Sequence, residues 1–322
     1  VRILSLDEIR AAFDLDLAFD AVEAGFIADA RHQVSLGAVG YHVFPEARGD
    51  CHIKSASSEQ GAAFVVKIAT SFAGNGDHGL PTNNGLMVLL SARTGEPLAL
   101  LRDEGWLTDV RTAIAGALAA EVILPERATT LGIVGTGAQA KLQAELAARR
   151  TGMRRVLLWG RRAEPAARLA SDLVSSGLDA RAVGTLEELA EAADVVITTT
   201  PSREPLLTAG MFTRPARIVA VGADAPGKQE IASDLTARMD ALIVDSPEQC
   251  LDHGELSRPH AEGRIDESRI RHLGDALLGG ARFAPDQWMM VDLTGVGIQD
   301  LQIASTVWSH VPGNTSSTPL MV

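Results

Sequence analysis

Apolar positions recur at helical spacing through residues 7–31, where Ile9, Phe13, Leu17, Val22 and Phe26 predict one or two amphipathic helices. From 36 to 102 the texture changes to short apolar runs separated by glycines. Phe64-Val65-Val66-Lys67-Ile68 and Leu86-Met87-Val88-Leu89-Leu90 read as strands, with Asn75-Gly76 and Thr94-Gly95 as turns. Residues 108–124 predict an Ala-rich helix that Pro125 stops. A second rhythm begins at 127. Strand-like runs at 130–134, 155–159, 195–199, 218–221 and 241–244 alternate with helical stretches near 138–149, 163–175 and 186–193. Such alternation is the mark of βαβ units and a parallel sheet. A last strand at 288–293 leads through Gly295 and Gly297 into a helix over 298–309, and the polar end, 313–319, is expected to fray.

These elements predict an α/β fold. A Rossmann-type parallel-sheet domain covers 126–293, and an α+β substrate and dimerisation domain covers 1–125. The C-terminal segment, 298–322, returns to the first domain. A length of 322 residues accommodates two such domains.

Composition narrows the function. The chain is 46% hydrophobic and 22% charged, as in an ordinary globular protein. A formal charge of −12 and a pI near 5.1 argue against a nucleic-acid surface, which needs a basic stripe. They leave a basic pocket for a small anion open. Cys51 and Cys250 have no metal-type spacing and fit incidental thiols in a reducing compartment. No apolar run reaches membrane-spanning length, and residues 1–10 lack a signal-peptide core. The expectation is a soluble cytoplasmic protein with no metal, no nucleic acid and no membrane partner.

The strand at 130–134 runs directly into Gly135-Thr136-Gly137-Ala138-Gln139-Ala140 and then into a helix. Gly135 permits a tight turn, Gly137 lets the backbone approach a pyrophosphate, and Ala140 allows close packing of helix on strand. The helix N-terminus supplies unpaired N–H groups and the positive end of its dipole. The strand before, the helix after and the βαβ rhythm that follows turn a weak glycine pattern into a specific one. The next strand ends in Gly160-Arg161-Arg162, where an NAD enzyme would carry an acid for the ribose 2′-hydroxyl. Two arginines suit the 2′-phosphate of NADP, which favours NADP while leaving NAD open. The same pair also reads as a solvated strand end.

Several stretches together resemble the ornithine cyclodeaminase/mu-crystallin family, which includes archaeal-type alanine dehydrogenases and ketimine reductases. They are Val66-Lys67-Ile68, Gly79-Leu80-Pro81-Thr82, Leu107-Thr108-Asp109-Val110-Arg111-Thr112-Ala113, the 135–140 loop, Thr198-Thr199-Thr200-Pro201-Ser202, Gly222 to Glu230, and Thr294 to Asp300. The resemblance spans almost the whole chain in order. It implies a homodimer, a dinucleotide domain, and hydride transfer between nicotinamide and the α-carbon of an amino or imino acid.

That chemistry needs cations for a carboxylate, an acid near the nitrogen and a dry cleft. Lys67 is unwelcome in mid-strand, and Arg111 stands near a helix start, where the dipole disfavours a cation. Both match carboxylate-binding positions of the family. The alternatives are an outward-facing Lys67 and an Arg111 paired with Asp109. Asp224 lies beyond the strand at 218–221, on the ligand edge of such sheets, and matches the family's catalytic aspartate. Lys67 is its candidate catalytic partner. Lys228 and Glu230 are expected to pair with each other or with backbone. The resemblance also adds Thr82 to the substrate side and Thr200 and Thr294 to the cofactor side; Thr294 also reads as a cap for the last helix, and Gln299 lies in the segment expected near the nicotinamide.

Lys54 is informative because the cyclodeaminase-like branch carries an acid at that spacing, whereas alanine-dehydrogenase-like members carry a base. A lysine there repels a second ammonium and welcomes another anionic oxygen; His42 and His52 stand nearby in sequence. The leading expectation is an NAD(P)H-dependent reductase of a small 2-imino acid, or an amino-acid dehydrogenase, with iminosuccinate or a cyclic imine as examples. The alternatives are a cyclodeaminase-type lyase with tightly held NAD and a non-catalytic NADP-binding protein of the mu-crystallin kind.

Overall fold

The computed structural model describes residues 1–59, 61–279, 283–284 and 286–313, so the end expected to fray lies outside the described residues but for Gly313. Two compact units emerge: Val1–Arg111 with Val296–Val322, and Thr112–Gly295. The division falls inside a helix rather than at Pro125.

In the first unit seven strands form one sheet. They are β1 (Arg2–Leu4), β2 (Val34–Leu36), β3 (Gly40–Phe44), β4 (Gly49–Ser58), β5 (Ala63–Phe72), β6 (Asn83–Ser91) and β7 (Pro97–Leu101). The order is β1-β7-β6-β5-β4-β2, with β3 also paired to β4; only β1 and β7 run parallel. Helices α1 (Leu6–Ala12) and α2 (Leu15–Ala30) precede β2, and the last helix, Gly297–His310, packs on α2, β4 and β5. Ser5 and Glu8 form a capping box on α1, and Asp14 caps α2. The break at Phe13 and Asp14 resets the helical phase. Leu17, counted in the apolar stripe, is therefore exposed, while Ala18, Ala21, Val22 and Phe26 make the buried face. Helix α3 (Trp106–Val122) begins two residues earlier than expected.

The second unit holds an eight-stranded sheet in which every pairing is parallel. Its strands are β8 (Thr130–Val134), β9 (Arg155–Trp159), β10 (Asp179–Ala182), β11 (Val195–Thr198), β12 (Arg217–Ala220), β13 (Ala241–Val244), β14 (Ile270–His272) and β15 (Met289–Asp292). Helices α4 (Ala138–Thr151), α5 (Ala163–Ser175) and α6 (Leu186–Ala192) connect the first four. The order β10-β9-β8-β11-β12-β15-β13-β14 reverses direction between β8 and β11. In such sheets the crevice beyond the carboxyl ends at that reversal is the ligand site. The central strands are buried throughout, as layers on both faces require. Among the described residues no helix is long and apolar enough to cross a membrane.

Candidate active site

At the end of β8 the backbone of Gly135 takes a φ of +133°, and a Cβ there would stand 2.3 Å from Thr199 Oγ1. Glycine is obligatory on both counts. Gly137 differs. It is the N-cap of α4 with ordinary φ, it gives the helix no side-chain cap, and a Cβ on it would meet nothing within 4 Å. Packing does not explain this glycine. It leaves open space before the first turn of α4, where an anion can approach the helix N-terminus. Ala140 is fully buried as α4 packs on β8. At the end of β9, a Cβ on Gly160 would lie 2.5 Å from the Thr136 methyl, so a larger residue here would require that side chain to turn away. Arg161 and Arg162 follow, both exposed, with Arg162 the N-cap of α5. The glycine turn, the open approach to α4 and the two arginines fit a dinucleotide.

The neighbouring loops on the same edge are tied by a buried carboxylate. Glu230 Oε1 accepts from Thr200 N at 2.6 Å and Thr200 Oγ1 at 2.7 Å. Its Oε2 accepts from Thr198 Oγ1 at 2.7 Å and Gly222 N at 2.9 Å. Burial pushes Glu230 up to about 7 against the pull of those donors. Glu255 accepts from the amides of Glu230 and Ile231 at 2.6 and 3.0 Å. Burial, then the charges of Glu230 and Asp292, hold it well above the usual carboxylate range. Asp292, also buried, is raised by burial and by Asp245.

Asp224, half-exposed in this loop, pairs with Lys228 Nζ at 2.5 Å. Lys228 and Glu230 therefore do not pair with each other, whereas the backbone alternative holds for Glu230, which accepts from Thr200 N and Gly222 N. Gly227, at φ +81°, turns the chain so that Lys228 reaches Asp224, while Glu230 points among the threonines and amides. Thr200 gives both its amide and hydroxyl protons to Glu230. Thr294 gives its own to Asp245 Oδ1, at 3.1 and 3.0 Å. Thr294 does not cap the last helix, whose N-cap is Val296.

The first unit assembles the cations. Lys67 on β5 stands directly opposite Lys54 on β4, so both side chains share one face of the sheet. That face is the covered one: Lys54 and Lys67 are 5% and 2% exposed. The outward-facing alternative for Lys67 does not hold. Like charges directly opposed are unfavourable, and a counter-ion is needed. Asp300, fully buried on the first turns of the last helix, supplies it: Oδ2 lies 2.7 Å from Lys67 Nζ and Oδ1 lies 3.0 Å from Arg111 Nε. Arg111 also donates from Nη1 to Gln299 Oε1. Its partners are therefore in the last helix, and the Asp109 pairing gives way to Asp300; Gln299 serves Arg111. Burial, then the Arg111 charge, lowers Lys67 to about 7, with Asp300 pulling it upward and Lys54 downward. Asp103, accepting from Leu107 N at 3.0 Å at the start of α3, is raised to about 6 by burial.

The sequence reading named the three cations and missed Asp300. An acid in a helix buried on all sides was the available signal. Thr82 is exposed before β6, and among the described residues no hydrogen bond joins it to these cations. His52 lies against Tyr41, ring centroids 4.7 Å apart, with Nε2 3.7 Å from Asp50 Oδ1, and His42 is exposed. Among the described residues no cluster of three or more His, Cys, Asp or Glu is arranged to hold a metal.

Fold and site together define an α/β protein with a Rossmann-type sheet and a second, mainly antiparallel unit bearing buried cations. The chain belongs to the ornithine cyclodeaminase/mu-crystallin family, whose family model matches residues 2–314. The alanine dehydrogenase of Archaeoglobus fulgidus is 32% identical over 311 residues, covering 96% of this chain and 94% of its own length. Two solved structures superpose over 96% of this chain and 95% of their own. A dimeric archaeal alanine dehydrogenase with bound NAD gives a TM-score of 0.88 at 30% identity. The iminosuccinate reductase of Paracoccus denitrificans in complex with NAD+ gives 0.87 at 29%.

Proposed function

We propose that this chain is an NAD(P)-dependent oxidoreductase that moves hydride between nicotinamide and the α-carbon of a small 2-imino or 2-amino acid. The observation that carries the reading is the buried cationic group of Lys54, Lys67 and Arg111 with Asp300 bridging two of them. Buried charge of one sign is costly unless it is answered, and a substrate carboxylate answers it. Lys67 and Arg111 hold that carboxylate. Lys54 disfavours a substrate with a second ammonium, which weighs against the cyclodeaminase alternative, and favours a second carboxylate. The family relationship to an iminosuccinate reductase supports a dicarboxylic imine as the first substrate to try.

Residues 135–140 would hold the dinucleotide, which when bound would supply or take the hydride. Asp224 binds the substrate nitrogen, stabilises its iminium form and relays its proton, raising the electrophilicity of the α-carbon. Two arginines at the positive end of α5 are electrostatically misplaced unless an anion sits nearby, which supports NADP over NAD. Pairing with a second copy is supported by the dimeric archaeal neighbour and by exposed Val43, Phe44, Ile68 and Leu80 in the first unit.

The test is oxidation of NADPH and of NADH with a panel of 2-oxo acids plus ammonia or methylamine, and with preformed cyclic imines. Net oxidation with a panel member is the expected result. Ammonia release from a diamino acid without net oxidation would replace the reading with a cyclodeaminase, and dinucleotide binding without turnover with a silent binder.

A further inference from the structure

We propose that Asp300 is the resident counter-ion of the carboxylate-binding pair, a positioning residue that favours the ammonium form of Lys67 and aims Lys67 and Arg111 at one shared anion position. This rests on the reading of Lys67 and Arg111 as substrate-binding cations, but its test does not need a substrate. The geometry is a bridge. One carboxylate, on the last helix, contacts a lysine from β5 through one oxygen and an arginine from α3 through the other. Gln299, one residue earlier, fixes the arginine's other end. Three elements far apart in sequence are thus locked at a single anionic group.

The charged groups around Lys67 explain why the lock is needed. Lys54 on β4 and Arg111 on α3 both disfavour its ammonium form, as does burial. Asp300 is the opposing influence, and its charge in turn reaches Asp103. Without Asp300, two cations and a dry environment would drive the proton from Lys67. A neutral amine holds a carboxylate poorly. Asp300 therefore acts through Lys67 rather than on the substrate.

The chain has four lysines, Lys54, Lys67, Lys141 and Lys228, so NMR of protein carrying ε-carbon-labelled lysine resolves each titration. The signals are assigned by replacing each lysine with arginine. In the wild type the Lys67 signal should titrate near neutrality. In Asp300→Asn, which keeps shape and removes charge, it should move about 1–3 pH units lower, the range for loss of a close opposite charge. KM for the best carboxylate substrate at pH 7 should then rise about tenfold or more and recover as the pH is lowered toward the new midpoint. Asp300→Glu, which keeps the charge, should restore both. A Lys67 signal within a few tenths of a unit of wild type in a folded Asp300→Asn protein overturns the proposal. If Asn does not fold, Asp300→Ser and Asp300→Glu pose the same question at the same resonance. Failure of the imine panel with the predicted lysine shift intact would fault the substrate reading alone.

Discussion

The two units each bury a group of charges and neutralise it by different means. In the first, Lys67 and Arg111 are answered by another side chain, Asp300, beside Lys54 on the neighbouring strand. In the second, Glu230, Glu255 and Asp292 are answered by amides and hydroxyls, and burial raises all three above the usual carboxylate range. Backbone donors are fixed by the fold and saturate their acceptors; Glu230 already accepts four hydrogen bonds. Such a group has no charge left for a ligand and serves to tie loops together. Side-chain cations gathered around one acid are, on the reading proposed above, where a substrate anion is held. On the reading proposed above, the difference separates a brace from a binding site, although both contain buried ionisable groups.

The largest effect is expected where the second unit departs from its own rule, at half-exposed Asp224. Asp224→Asn should lower kcat at least about 100-fold, within the 10²–10⁴ of positioned acid–base catalysis, with dinucleotide affinity and unfolding midpoint near wild type. A variant retaining more than roughly a tenth of wild-type kcat would make Asp224 a turn residue. Next, Lys67→Met should raise KM at least about 30-fold while kcat changes less, as loss of one member of a buried charge pair predicts. Steady-state kinetics at saturating cofactor decide it. An unchanged KM with a lower kcat would move Lys67 from binding to chemistry.

Arg161 and Arg162 test whether exposed cations can also await an anion. Replacing both with serine should weaken NADPH about 10–100-fold relative to NADH in calorimetry, the worth of a charge-assisted contact. An unchanged ratio would leave them a solvated strand end.

How much of this was legible in sequence follows from the range of each interaction. The glycine turn between β8 and α4 was legible because each glycine's reason is local, a positive φ at Gly135 and an open approach at Gly137. The central parallel strands were legible because burial on both faces makes them continuous apolar runs. Strands β10 and β14 were not: they are short, polar edge strands without such a run. Asp300 and the Glu230 brace were hidden because their partners lie on other elements. No periodicity reports which lysine an acid in a distant helix will meet. The cations themselves were found because they are locally out of place, Lys67 in a strand and Arg111 near a helix start.

The smallest expected effect is on stability against pH, and it has opposite signs in the two units. Glu230 in the folded chain, at about 7, lies above its ordinary 4.5. Between those values the folded chain binds a proton that the unfolded chain has released. The contribution of Glu230 is therefore full below about 4.5 and is lost as pH rises to about 7. Lys67, at about 7 rather than 10.5, does the reverse. Between those values the unfolded chain holds the extra proton, so stability gains as pH rises across that window. Neither slope should exceed about 1.4 kcal/mol per pH unit, a single proton's worth. Denaturant unfolding at stepped pH, each variant subtracted from wild type, isolates them. Lys67→Met should remove the rise above pH 7 and leave the fall below it, while Glu230→Gln should remove the fall and leave the rise. If Lys67→Met keeps the wild-type slope above pH 7, the lysine is an ordinary ammonium in the folded chain. The cationic group would then be neutralised as completely as the acids are, and the distinction between brace and binding site would fail on its own terms.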